Sequence, residues 1–334
     1  MIKWTKRVLY LLITGVLIIL IFIYLKITFI GKAINEPILE PYFLKSTNEK
    51  NIQLTFLGTS CFIVGYQGKE FVSDPFFSNP SVPSTLTGNM QLLPINKFIK
   101  DSLCRNVEMM TVSHGHYDHC LDFEQFLKPT TTFVADTSVV WQLFPLLKNN
   151  KNIVSLNFIP HTKWIYSVDS TFRVFPILSK HGPHIANIVF FNGKYTTPQK
   201  QLPTNLLDWK LGSGNYSFLL DVMNRDSIVF RMAFLYGNIE QNEIEKIKAI
   251  YAQQKCDIQT SVFWKKTQNE SQLKVAKDIT HADIILLNHW NNFFRSNDKS
   301  LQSFKSSEID KELEILNKEN IPARIMLPYT TVNL

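Results

Sequence analysis

Three of the chain's eight histidines fall within six positions, in the run Thr111-Val112-Ser113-His114-Gly115-His116-Tyr117-Asp118-His119, with a carboxylate among them. Imidazole nitrogen and carboxylate oxygen are ligands that Zn²⁺ accepts at roughly 2.0–2.2 Å. Residues two apart in extended chain project to the same side, so His114 and His116 can hold one ion while Asp118 and His119, past the turn, face a second. Gly115 lets the backbone bend tightly between them. Cys120, directly after His119, is either a buried inert thiol or an extra soft ligand. Other chemistries leave weaker marks. Gly212-x-Gly214 has no Lys-Ser/Thr in the frame of a phosphate loop, and no Gly-x-Ser-x-Gly elbow is present.

The elements around the run must deliver it to one place. Residues 107–112 read as a short buried strand that ends at the histidines, and residues 122–127 as a helix after them. Upstream, residues 52–57 and 62–66 read as strands around Gly58-Thr59-Ser60, and 70–73 as a third that ends at Asp74-Pro75. Downstream, strands at 132–135, 153–156, 171–178, 188–191, 216–221, 227–234 and 284–287 alternate with helical stretches at 138–147, 242–253 and 307–317. The pattern is mixed α/β, with no internal repeat and no polar break long enough to divide it.

The His-x-His-x-Asp-His run, preceded by a buried strand and Ser113, resembles the signature of the metallo-β-lactamase superfamily. The resemblance covers roughly residue 51 to the C-terminus and implies an α/β fold, a four-layer αββα sandwich with metals at one edge. Leu57-Gly58-Thr59-Ser60 followed by Asp74-Pro75-Phe76 looks like the opening of the branch with the N-acyl-phosphatidylethanolamine phospholipase D-like and lactonase-like members. The resemblance implies further ligands at strand ends. His181 is favoured in Ser179-Lys180-His181-Gly182-Pro183-His184, with His184 the alternative or a substrate contact, and His289 follows the buried strand at 284–287. Asp74 resembles the Asp that hydrogen-bonds a ligand histidine, and is otherwise a plain turn residue. Asp118 is expected both to ligate and to orient the attacking water. One piece departs from the pattern: the bridging Asp that ends a strand in the family is matched here by Ala233, and neither Asp221 nor Asp226 fits its place. Zn²⁺ is the expected cofactor, as one ion or two, the second weakened by the missing carboxylate.

Composition sets the frame for this site. Of 334 residues, 45% are hydrophobic, 13% aromatic and 19% charged, which is material for a sizeable core and excludes a disordered chain. Residues 8–25 run without a charge behind Lys3, Lys6 and Arg7. That length crosses most of a bilayer, and the basic flank predicts a cytoplasmic N-terminus with the rest extracytoplasmic. A cleaved signal peptide fits less well, since its apolar core usually runs only about 7–15 residues. The expected organisation is an anchor at 1–31, a linker at 32–50 and one domain at 51–334. The net charge of +7 includes the three anchor-flank cations, and the remaining basic residues form no stripe, so no nucleic-acid partner is expected. The sequence thus predicts a metal-dependent hydrolase of an ester, lactone, amide or phosphodiester, with a small-molecule or lipid substrate. The alternative is a non-catalytic metal-binding or sensing protein with a degraded second site.

Overall fold

The structure is a computed structural model and describes residues 2–29, 31–97, 104–158, 162–184, 188–263, 273, 275–296, 299–304 and 307–334. The chain opens with the helix Ile2–Phe29, within which Trp4–Ile23 is long and apolar enough to cross a membrane and has no part buried in the domain. Strand β1 (Gly31–Ala33) follows at once. Then come β2 (Ile52–Gly58), β3 (Cys61–Tyr66), β4 (Lys69–Ser73), β5 (Val107–Thr111), β6 (Thr132–Ala135) and β7 (Ile153–Ser155). The second half holds β8 (Ile165–Tyr166), β9 (Phe172–Lys180), β10 (Asn215–Asn224), β11 (Ser227–Leu235), β12 (Asn238–Ile239), β13 (Ile258–Val262) and β14 (Ile284–Asn288). The chain ends with β15 (Gln302–Phe304), β16 (Ala323–Arg324) and β17 (Thr330–Asn333).

Two sheets result. One runs β17-β2-β3-β4-β5-β6-β7 and the other β12-β9-β10-β11-β13-β14-β16, with β8 on β9. Each begins antiparallel and continues parallel, the change falling between β4 and β5 in the first and between β11 and β13 in the second. Side chains alternate across a strand, so each sheet offers two faces. The inner faces meet: Phe62 and Phe71 of the first sheet lie 5.9 and 5.5 Å, ring to ring, from Phe234 of the second, and Phe71 lies 6.3 Å from Phe172. Each such buried Phe is worth about 1.5–3 kcal/mol relative to exposure. On the outer face of the first sheet, Ile63, Val72 and Met110 pack with Phe123, Phe126 and Leu143. On that of the second, Phe175, Ile177, Leu219, Ala233 and Leu235 pack with Ile247 and Tyr251 of the helix Gln241–Tyr251.

Local differences from the sequence reading have local causes. Residues 122–127 form only a 3-10 turn, Phe123–Gln125, because Asp122 turns its carboxylate back to accept from the backbone N–H of Phe77 and Ser78. The helix expected at 138–147 is split into Thr137–Gln142 and Phe144–Leu147, with Pro145 in the first turn of the second piece. Residues 188–191 do not form a strand beyond a single bridge at Ile188.

The stretch expected as a linker, residues 32–50, is built into the domain instead. Leu39 and Leu44 are buried in the main core, Leu44 N–H donates to Ile325 O at 3.0 Å, and Thr47 N–H donates to Asn333 O at 2.8 Å. Its prolines open two short helical turns, Glu36–Leu39 and Glu40–Tyr42, while two leucines spaced along it carry the packing.

Candidate metal centre

β5 is a central parallel strand, and its end places Ser113 beside Asp74, the residue that follows β4. Asp74 takes a left-handed backbone (φ 41°), which turns its carboxylate back onto the next strand's loop. It accepts from Ser113 N–H at 2.6 Å, from Ser113 Oγ at 2.8 Å and from His119 Nδ1 at 2.7 Å. Asp74 is therefore the buried partner of a site histidine rather than a plain turn residue. With the Ser113 hydroxyl donating to Asp74, its oxygen is left to accept from His114 Nδ1 at 3.0 Å. Both His114 and His119 are thereby held in the tautomer that leaves Nε2 without a proton.

The other candidates arrive from the second sheet. His181 directly follows β9 and His289 directly follows β14, where it too is left-handed (φ 60°). His289 N–H donates to Thr59 O at 2.6 Å, and Thr59 N–H donates to Asn291 Oδ1 at 2.7 Å. The Gly58-Thr59-Ser60 turn thus has a task that its sequence did not disclose: it grips the loop carrying His289. Left-handed non-glycine residues cost free energy and gather where surrounding structure over-determines them.

These positions bring six side chains into two adjacent groups. His114, His116 and His181 form one, and Asp118, His119 and His289 the other, with the ligand atoms of each group within 4.8 Å of one another. The groups adjoin, the rings of His114 and His119 being 4.0 Å apart. His184 stands at the edge, stacked on His181 at 4.9 Å, and its Nδ1 accepts from Phe190 N–H at 3.0 Å. Cys120 turns away: its thiol donates to His116 O at 3.0 Å, and burial raises it well above its ordinary value.

Electrostatics divides the histidines. Burial, and then the neighbouring imidazoles, hold His114 and His116 well below the ordinary histidine value. Burial and His184 bring His181 down to about 3. Burial would also lower His119, but Asp74 and Asp118 outweigh it and raise the group. Burial would raise Asp118, but His119 and His289 outweigh it and keep the carboxyl ionised.

The donor set fits a cation. His114 Nε2 and His116 Nδ1 lie 3.0 Å apart, and His116 Nε2 is buried without a hydrogen-bond partner. Whichever nitrogen of His116 carries the proton, one of its two is left unsatisfied in a buried place, which is costly unless a cation takes the lone pair.

No known protein-family pattern matches the sequence, and no curated protein does. Solved structures do match. A possible metal-dependent hydrolase from Veillonella parvula is 12% identical, with a TM-score of 0.51 over 84% of this chain and 99% of that one. CmlA, a diiron β-hydroxylase from Streptomyces venezuelae, is 11% identical with a TM-score of 0.53 over 85% of this chain and 54% of that longer one. The metallo-β-lactamase fold protein YhfI from Bacillus subtilis is 10% identical over 84% of this chain and 98% of that one, at a TM-score of 0.48. The first two likenesses join the paired sheets and the His/Asp groups at the strand ends. The chain has the paired-sheet α/β fold of these two structures.

Within that fold the match of Ala233 to the bridging position is wrong. Along β11, Phe230, Met232, Phe234 and then Tyr236 face between the sheets, whereas Ala233 lies on the opposite face, beneath the helix Gln241–Tyr251. The strand end nearest the metal groups is Tyr236, whose ring stands 6.2 Å from that of His119. Asp221 is likewise remote in role, since its carboxylate is held by Arg231 Nε at 2.6 Å and Arg173 Nη2 at 2.7 Å. Among the described residues, Asp118 is the carboxylate within the two groups.

Two further residues position the run, and of these Gln142 carried no sequence signal. Gln142, fully buried, donates to Gly115 O at 2.7 Å and accepts from Lys210 N–H at 2.9 Å. Gly115 itself is required by crowding, since a Cβ there would lie 2.2 Å from Lys210 O.

Proposed function

We propose that this protein is a zinc-dependent hydrolase that uses water to cleave an ester, lactone, amide or phosphodiester bond. The observation that carries this reading is the pair of adjoining three-ligand groups, one all-histidine and one with Asp118. His114, His116 and His181 would hold one ion, and Asp118, His119 and His289 a second. When bound, zinc lowers the pKa of its water to about 7 and polarises the oxygen under attack. The chain's own residues supply orientation and proton handling. Asp118, ionised between His119 and His289 at 3.7 and 3.4 Å, accepts a hydrogen bond from the attacking water and orients its lone pair toward the substrate. Asp74 holds His119 Nε2 toward the site, and Ser113 does the same for His114. With no second carboxylate between the groups among the described residues, two dications would repel with little to offset them, so the second equivalent should bind more weakly.

The opening residues 57–60 and 74–76 favour the branch with the phospholipase D-like and lactonase-like members. The helix Ile2–Phe29 is proposed to stay as a membrane anchor, with its basic flank cytoplasmic and the domain outside, within reach of a small-molecule or lipid substrate.

The test is metal analysis of the full chain in detergent, beside His116→Ala, with hydrolysis of phosphodiester and lactone panels. Bound zinc that falls by about one equivalent in the variant, with turnover down at least ~100-fold, supports the enzyme. One tight zinc and no turnover on any panel indicates a binding protein. Iron in place of zinc would shift the reading to the redox class to which CmlA belongs.

A further inference from the structure

We propose that β1, the strand directly after the apolar helix, positions the His289 loop, so that the putting-together of the second metal group depends on the membrane-proximal segment. β1 pairs antiparallel with β15 in the register Gly31↔Phe304, Lys32↔Ser303, Ala33↔Gln302. β15 in turn grips the loop that begins at His289: Phe304 N–H donates to Trp290 O at 3.0 Å, Asn292 N–H donates to Gln302 O at 2.8 Å, and Asn291 bridges to Ser303. Side chains continue the path. The ring of Phe304 stands 5.1 Å from that of Phe293, which stands 5.1 Å edge-on to His289. β15 therefore lies between two partners, the anchor's exit strand on one side and the metal-site loop on the other.

Two observations show that β1 is seated rather than merely adjacent. The side chain of Gln302 folds over Gly31: its flexible end stands 2.0 Å from where a Cβ there would lie and could swing aside, but its Cβ, at 3.1 Å, could yield only a little. Lys32 Nζ also meets Asp310 Oδ2 at 2.5 Å, at the start of the helix Ile309–Lys318. A strand of three residues is marginal alone, and so is β15; each is ordered by what it pairs with. Gly31 lies two residues past the end of the helix, and one cross-strand step and two ring contacts join it to the His289 ring, which fixes the distance between them. A loose tether would leave that distance free.

The inference rests on the metal-centre reading for its consequence, though not for the strap itself. In the full chain in detergent, Lys32→Pro/Ala33→Pro removes two backbone donors from β1. The second zinc equivalent should weaken at least tenfold while the first, held by His114, His116 and His181, stays as in the wild type. A general loss of structure would lower both, and unchanged binding of both equivalents overturns the proposal. Should the variant not fold, hydrogen exchange on the metal-free wild type decides: amides of β1, β15 and residues 290–292 should open together, and exchange of β1 at the rate of free peptide overturns it. Wild type that binds no zinc would sink the metal reading, and the exchange data would then judge the strap alone. Intact mass offers a further check. Gly31-Lys32-Ala33 has the small-x-small form of a cleavage site, and a mature chain that begins at Ile34 would lack the strap and refute the proposal.

Discussion

Burial and mutual repulsion keep His114, His116 and His181 free of protons well below neutrality, His181 down to about 3. A metal that binds His181 therefore displaces almost no proton at pH 5, and the lowering at His114 and His116 acts in the same direction. His119 is different, since Asp74 and Asp118 raise it, and protons compete with metal for its Nε2 at higher pH than at the other three. The sign follows: a lowered histidine keeps its metal as pH falls, and a raised one gives it up early. Dialysis of the zinc-loaded protein at pH 7, 6 and 5 should strip the Asp118/His119/His289 group first and leave about one equivalent at pH 5. Loss in the reverse order would mean that the two groups have been assigned the wrong proton affinities. At this scale the His-x-His-x-Asp-His run was legible because its ligands are contiguous. The partnership of Asp74 and His119, forty-five positions apart, needed the parallel pairing of β4 and β5 to become visible.

Among the elements, the loop at 208–214 does for His114 and His116 what the Gly58-Thr59-Ser60 turn does for His289. Gly115 N–H donates to Leu211 O at 2.9 Å, and Gln142 ties Gly115 O to Lys210 N–H. The Lys210 carbonyl belongs to the backbone and cannot swing aside. Gly115→Ala should therefore cost about 1–3 kcal/mol and also weaken zinc at the three-histidine group, because the loop must move to admit the methyl. Denaturant unfolding and zinc titration measure the two effects; a variant unchanged in both would show that the crowding is relieved elsewhere. The sequence reading assigned this glycine to a tight bend. The need is real, but its cause is a neighbour almost a hundred positions away, which no local pattern records.

For the whole molecule, the segment 31–50 joins the main core and, through β1 and β15, the loop that carries His289. Asn48 is exposed in that segment, and the four native cysteines are all buried. Asn48→Cys should thus be labelled by an impermeant thiol reagent in cells whose cytoplasmic membrane is intact, with little background from the parent chain. Labelling only after that membrane is broken would reverse the proposed topology. The same segment carries Leu39 and Leu44 into the main core, so truncation near residue 51 should expose both leucine sites and β15 together.

The sequence by itself determined the mixed α/β class, the apolar helix behind a basic flank, and the contiguous half of the metal constellation. Each is encoded in neighbouring residues, through hydrophobic period, uninterrupted apolar length or ligand spacing. His181 and His289 were reachable only through the resemblance, since a single histidine after a strand has no local mark of its purpose. What tertiary structure alone decided is which face each strand turns inward. Ala233 and Tyr236 lie on one strand's path, yet side-chain alternation sends the first beneath a helix and the second toward His119. Residues 32–50 teach the same lesson, because turn-rich composition describes local conformation while the burial of two leucines depends on what lies across from them.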